Sequence, residues 1–337
     1  MTSDPEDARA WPHILRPYRT PRVARGIFEL MATAVPFAAL WALMWASLGV
    51  GYWLVLLLAM PTACFLMRLF MIQHDCGHGA CFKGRLANDW VGRVIGVVTL
   101  TPYGFWLRTH ALHHANAGNL DHRGSGDIIT RTSDEYLAQS RFQRLAYRLY
   151  RSPFVMFGLI PTYLFVIHHR LPVGFMRSGY APWLSTMGTN AAIAAIVALL
   201  VWLIGLGPFL LVQAPVVVTS ATIAVWFFYV QHQFEDTLWA HDGDWSFHEA
   251  ALNGSSHYEL PPALAWFTGN IGVHHVHHLS SRIPFYRLPE VLRDHPQLAS
   301  LGRLTFLQSL RAARLALWDE ELGRLISFQE LARLRAG

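Results

Sequence analysis

Four stretches of the chain are almost uniformly apolar and lack the polar alternation of a surface helix. Met31–Leu48, Tyr52–Ile72, Thr186–Leu206 and Phe209–Val230 each approach the about 20 residues that carry a helix across a bilayer. Gly49–Gly51 separates the first two and Gly207–Pro208 the second two. The pattern therefore predicts two helical hairpins, each returning to the side from which it started. Two weaker runs, Val91–Trp106 and Pro153–Ile167, are short or interrupted and read as interfacial or re-entrant. From Leu288 to Gly337 Leu alternates with Arg and Glu, as in Leu304–Phe306–Leu307–Leu310 and Leu315–Leu317. That spacing predicts amphipathic helices over 291–337, packed on the cytoplasmic face. Residues 1–27 are polar, and the first apolar run starts too late for a secretory signal; they read as an uncleaved tail. The expected fold class is an all-α integral membrane protein: about four transmembrane helices in two hairpins, in a membrane domain over 28–290, beneath a histidine-rich helical cap.

Composition supports this class. Hydrophobic residues make up 53% of the 337 and charged residues only 15%, against about 25% charged in soluble domains. That is too little charge to cover a soluble surface, and the aromatic and aliphatic content excludes disorder. The net charge of +5 does not form a basic, aromatic-interleaved block, so nucleic-acid binding is not expected. It flanks the apolar runs instead: Arg16, Arg19, Arg22 and Arg25 precede the first hairpin, Arg68, Lys83, Arg85 and Arg93 follow it, and Arg170 and Arg177 precede the second. Positive flanks favour the cytoplasm, which assigns both termini, the central loop and the cap to that side. Cys64, Cys76 and Cys81 form neither a CxxC pair nor a disulfide framework.

Histidine carries the chemistry. Of 18 in the chain, eight fall in three clusters: His74-Asp-Cys-Gly-His78, His110-Ala-Leu-His113-His114, and His274-His275-Val-His277-His278 with His275 set aside. Residues at i, i+3 and i+4 share a helix face, so each cluster is expected to aim its imidazoles into one site. His232 ends the fourth apolar run and brings the candidate ligands to nine. One zinc takes three or four ligands, so nine imply two metals. Imidazole suits Zn, Cu, Fe and Ni alike, which leaves the element open. The HExxH, GxSxG, P-loop and GxGxxG motifs are absent. A metal transporter is the alternative from another class, but it would need polar residues within the spans, and these carry almost none.

The three boxes resemble those of the membrane fatty-acid desaturases. Gly269-Asn-Ile-Gly-Val-His-His-Val-His-His-Leu followed by Ile283-Pro-Phe-Tyr-Arg-Leu is similar to bacterial acyl desaturases that act near Δ12, and the likeness runs from about Arg16 to Glu290. The resemblance implies two irons held by His74, His78, His110, His113, His114, His274, His277 and His278, with His232 as the further ligand. Where some relatives have a water-bridging Asn one turn before that ligand, this chain has Phe228. The implied reaction is O2-dependent removal of two hydrogens from adjacent methylenes of an acyl lipid, acyl-CoA or acyl-carrier substrate, in a bacterial inner membrane. A hydroxylase of the same superfamily is the alternative. No haem or dinucleotide motif is present, so a separate ferredoxin or cytochrome b5-like donor is implied.

Residues expected around the ligands are Asp75, Arg108, Asn270 and His275. Trp106, Phe227, Trp266 and Phe267 are candidates to line an acyl tunnel, with ordinary packing or lipid contact as the plainer reading. Asp121 and Asp127 read as a solvated loop, with a hydrogen bond to an imidazole of the second box as the alternative; His168-His169 read as lipid-interface residues and His257 as a substrate-side contact. His13, His122, His241, His248 and His295 read as polar surface.

Overall fold

A computed structural model describes residues 5–124 and 126–336; residues 1–4 of the expected tail lie outside them. Helix α1 (Val23–Ser47) is followed by α2 (Tyr52–Gly77), then by the shorter α3 (Arg85–Val98) and α4 (Tyr103–Asn116). Helices α5 (Tyr180–Ile204) and α6 (Leu206–His232) follow, and the six-residue α7 (His274–Leu279) carries the last box. Helices α1, α2, α5 and α6 are long and apolar enough to cross a membrane, with mean hydropathy of 1.8–2.2. The protein is a mostly helical membrane protein. Helix α2 is its axis, packed against α1, α3 and α6. Its apolar stretch is 56% buried, against 6% for that of α5, so α5 presents nearly its whole surface outward.

The helices outrun the apolar segments that predict them. Helix α2 continues past Ile72 to Gly77 and α6 past Val230 to His232. The last turn of each therefore carries polar residues, and both point into the protein: Gln73, His74, Asp75, Gln231 and His232 are all buried. The turn between α5 and α6 lies at Gly205, with φ of 88°, two residues earlier than Gly207–Pro208. Pro208 falls within the first turn of α6, where a missing N–H leaves no helical bond unmade.

The two weaker apolar runs are broken helices. Val91–Trp106 splits at Thr99–Pro102 between α3 and α4. Gln73 pins that break to α2, donating to the Thr101 carbonyl at 3.2 Å and accepting from the Thr99 hydroxyl at 2.7 Å. Around Pro153, the helix Arg141–Tyr150 meets the segment Val155–Arg170 at 54°.

The C-terminal segment departs from the expected helices. Four short helices remain (Leu288–Asp294, Pro296–Ser300, Phe306–Ala312 and Phe328–Leu334), but Leu315–Leu317 is strand. With β1 as Arg131–Thr132, β2 as His257–Glu259 and β3 as Arg303–Thr305, strands β4 (Leu315–Asp319) and β5 (Arg324–Ser327) pair antiparallel. Strand β4 also pairs in parallel with β1, and β2 with β3. Gly323, at φ 61°, makes the turn between β4 and β5, and long-range pairing with β1 overrides the local helical spacing. The fold is therefore not strictly all-α. The N-terminal segment is also not a loose tail: Leu15 is fully buried, and the Arg19 guanidinium donates to the Ser280 hydroxyl at 2.8 Å.

Candidate metal centre

The nine histidines converge from four helices. The last turn of α2 supplies His74, with His78 capping it; α4 supplies His110, His113 and His114; α6 supplies His232; and α7 supplies His274, His277 and His278. Helix α7 is fixed by its backbone: the His274 amide donates to the Ser256 carbonyl at 3.1 Å. Gly272 permits this approach, since a Cβ there would sit 2.4 Å from the Tyr258 carbonyl oxygen.

Two separate donor groups result. His74, His78, His110, His114 and His277 form one, and His113, His232, His274 and His278 the other; within each group the donor atoms lie within 4.8 Å of one another. The expectation that each box serves one site holds for His74 and His78 and is corrected for the second and third boxes. On a helix, neighbours such as His113 and His114 point about 100° apart, whereas i and i+4 differ by about 40°. His110 and His114 therefore share the five-histidine group while His113 turns to the other. Likewise His274 and His278 stay together and His277 crosses over. The His114 and His278 rings stack between the groups at 4.2 Å and 16°.

Hydrogen bonding does not account for this geometry. The Nε2 atoms of His78, His110, His114 and His277 run in series at 3.0, 3.1 and 3.1 Å. His274 Nε2 lies 3.0 Å from His232 Nε2 and 3.1 Å from His278 Nε2. Each neutral imidazole nitrogen offers either one proton or one lone pair, so an Nε2 flanked by two others can bond to only one of them. Ligands about 2.0–2.1 Å from one ion lie roughly 2.9–3.4 Å from each other. The spacing therefore fits lone pairs aimed at a shared cation. Burial and neighbouring imidazoles hold His110, His114, His274, His277 and His278 well below the usual histidine range, so they stay neutral, the form that coordinates metal.

The surroundings sort the other candidates. Asp75 lies 3.7 Å from His74 Nδ1, and its carboxylate accepts the Phe285 amide at 2.8 Å. Asn270, in a turn at φ 52°, donates to the Phe285 carbonyl at 3.2 Å; it shapes the approach to α7 and does not touch an imidazole. His275 is fully buried but turned away, with Nε2 2.9 Å from the Leu298 carbonyl. Arg108 is exposed, which removes it from the site. His257 packs beside His275 with Nδ1 2.7 Å from the Ala299 carbonyl and does not line the cavity that opens onto the histidines. Asp127, expected in a solvated loop with an imidazole contact as the alternative, makes that contact: its carboxylate is hydrogen-bonded to His113 Nδ1, and Gly126 brings its loop against α4.

A cavity of about 620 Å³ opens onto both groups, with His74, His110, His113 and His274 in its wall. Met67, Phe70, Met71 and Phe227 make its apolar sides, and Trp106 lies flat on His110 at 4.6 Å. Trp266 and Phe267 are not part of it: Trp266 packs under the Arg68 guanidinium at 3.7 Å, and both rings meet Phe65. His168 and His169 border the cavity too. A smaller hollow adjoins its inner end past Met67, Phe70, Phe165 and Ala224, reaching Val217 and Ser220.

Comparison with known proteins agrees with this chemistry. The fatty acid desaturase family profile matches residues 51–309. A Bacillus subtilis protein named fatty acid desaturase is 43% identical over 94% of this chain and 90% of its own length. An sn-1 oleoyl-lipid 12-desaturase of Synechocystis is 30% identical over 78% of this chain and 72% of its own. A second Synechocystis protein, an sn-1 acyl-lipid omega-3 desaturase (ferredoxin), is 29% identical over 65% of this chain and 61% of its own.

Proposed function

The chain belongs to the fatty acid desaturase family, an oxidoreductase family, and on that premise we propose that it inserts a cis double bond into a membrane acyl chain at two irons held by nine histidines. The observation that carries this reading is the apolar cavity whose wall is built from both histidine groups. His74, His78, His110, His114 and His277 hold one iron, and His113, His232, His274 and His278 the other. When bound, the pair supplies the power to reduce O2, so that –CH2–CH2–, O2, two electrons and two protons give –CH=CH– and two waters. Methylene C–H bonds are unactivated, which makes an acid–base side chain of little use and leaves the difficult chemistry to the cofactor.

The protein's own work is positional. Met67, Phe70 and Met71 along α2 and Ala224, Phe227 and Phe228 along α6 form a sleeve that takes an acyl chain and excludes water. From Ser220 to His232 is about 18 Å of helix at 1.5 Å per residue, so the methyl end of the chain extends beyond the ligands toward Ser220. The charge flanks support a two-hairpin arrangement with the cap and both termini in the cytoplasm of a bacterial inner membrane, where a ferredoxin or cytochrome b5-like donor delivers electrons. Identity with the oleoyl-lipid 12-desaturase of Synechocystis favours an acyl-lipid substrate and a Δ12-like position.

The test is lipid analysis of a host expressing the chain beside a His113→Ala control, with double bonds located by mass spectrometry of the methyl esters. A new unsaturated species absent from the control is expected. A hydroxylated acyl chain would assign the protein to the sister reaction instead.

A further inference from the structure

Among the described residues, His113 is the only one of the nine histidines hydrogen-bonded to a carboxylate. A carboxylate accepts and does not donate, so Nδ1 of His113 carries the proton and Nε2 the lone pair. That Nε2 is buried without a hydrogen-bond partner, and it is one of the four donor atoms gathered in the smaller group. His232 is set in the same sense by a weaker acceptor, with its Nδ1 3.0 Å from the Gly254 carbonyl. In the five-histidine group the nearest carboxylate is Asp75, whose Oδ1 lies 3.7 Å from His74 Nδ1, beyond hydrogen-bond distance, while its Oδ2 accepts from Phe285.

Asp127 is held in place by its own loop. Gly126, at φ 89°, lies so close to α4 that a Cβ would meet Thr109 Cγ2 at 3.0 Å. Arg123 ties the loop further, donating to the Thr130 carbonyl at 2.8 Å and to Glu135 at 2.6 Å. The backbone that carries the carboxylate is thus held against α4 by protein contacts.

We propose that Asp127 is the positioning residue of the four-histidine site, fixing the tautomer and ring orientation of His113 and making this the metal site that depends on it. The inference rests on the reading of the histidines as metal ligands. A carboxylate on the far nitrogen of a ligating imidazole also raises its basicity, and such partners are worth about 10–100-fold in metal affinity. The two sites are therefore inequivalent by construction, one backed by a carboxylate and the other not.

The experiment is iron titration of the purified full-length protein against a competing chelator, read by iron per chain and by Mössbauer spectra. Wild type is expected to hold two irons. Asp127→Ala should release one of them at about 10–100-fold lower chelator concentration, losing the same spectral component that His113→Ala loses. Asp127→Asn keeps an acceptor oxygen without the charge and should recover most of that affinity, a rescue that carries the test if the alanine variant does not fold. Asp121→Asn should match wild type. Retention of both irons at the wild-type midpoint in Asp127→Ala, or release of both together, overturns the assignment. A wild type that takes up no iron overturns the underlying metal reading, and this inference with it.

Discussion

Asp75 and Phe285, 210 residues apart in sequence, share a buried hydrogen bond of 2.8 Å from the Phe285 amide to the Asp75 carboxylate. Through it the first histidine box holds the segment that follows the third, so the ends of α2 and α7 are fixed relative to each other before any ligand is considered. Asn270 closes the clasp from the other side, on the Phe285 carbonyl.

Removing that acceptor should loosen the scaffold without touching a metal donor. Asp75→Ala is expected to destabilise the protein by about 1–3 kcal/mol, the cost of leaving a buried donor unmatched. Asp75→Asn, which retains an acceptor oxygen, should fall well short of that. Thermal unfolding of the detergent-solubilised variants distinguishes them; equal loss in both would indicate that the charge, not the acceptor, matters.

The ion pair between Glu29 of α1 and Arg68 of α2 is buried on both sides, and Arg68 also donates to the Trp266 carbonyl. Breaking such a pair from one side costs about 3–5 kcal/mol where it strands a charge; Glu29→Gln strands Arg68, whereas Arg68→Met leaves Glu29 with Arg25 at 2.7 Å and should cost less. Glu29→Gln should lower the unfolding midpoint strongly and Arg68→Met to a smaller extent, and the double variant less than the sum of the two. Strict additivity would mean that the two side chains act independently.

The split of each HxxHH box makes a prediction that a single-site arrangement does not. His114→Ala and His113→Ala remove adjacent residues, yet they should deplete different irons, each leaving about one per chain. Both should reduce unsaturated product to background, because the reaction needs the pair. Metal analysis with spectroscopic assignment checks this; loss of the same iron in both variants would contradict it.

Much of this site was legible in the sequence because histidine spacing on helices is local geometry. The nine converging imidazoles, and the ends of the apolar helices that carry them, follow from i, i+4 spacing and from hydrophobic length. The division of His113 from His114 was available in the same 100° step per residue but needed the positions of α2, α6 and α7 to acquire meaning. The clasp on Phe285 was hidden because it depends on a return over 210 residues, where no periodicity points; Asp127 lies only 14 residues after His113 and needed the turn of its loop onto α4 at Gly126 to be placed. Strand β4 was misread as the clasp was: the continuous apolar run Leu315-Ala-Leu-Trp suits a buried strand, but its partner Arg131–Thr132 lies far earlier in the chain.

Ala224 borders both the main cavity and the hollow beyond it, so on the proposed path its small side chain would leave room for the methyl end of the acyl chain. Ala224→Phe overpacks that passage at about 1–3 kcal/mol, which is roughly 5–150-fold in use of long chains. Shorter acyl chains should be spared. Competition between two chain lengths, read as product ratio, measures the effect; an unchanged ratio would move the chain path elsewhere.

Turnover of the iron-loaded protein in lipid nanodiscs with a reduced ferredoxin, measuring O2 consumed against double bonds formed, is the decisive test of desaturation at an iron pair. One double bond per O2, no hydroxylated product, and no activity in zinc-loaded protein are predicted. O2 uptake that yields a hydroxyl group, or product formation by the zinc-loaded protein, would contradict it.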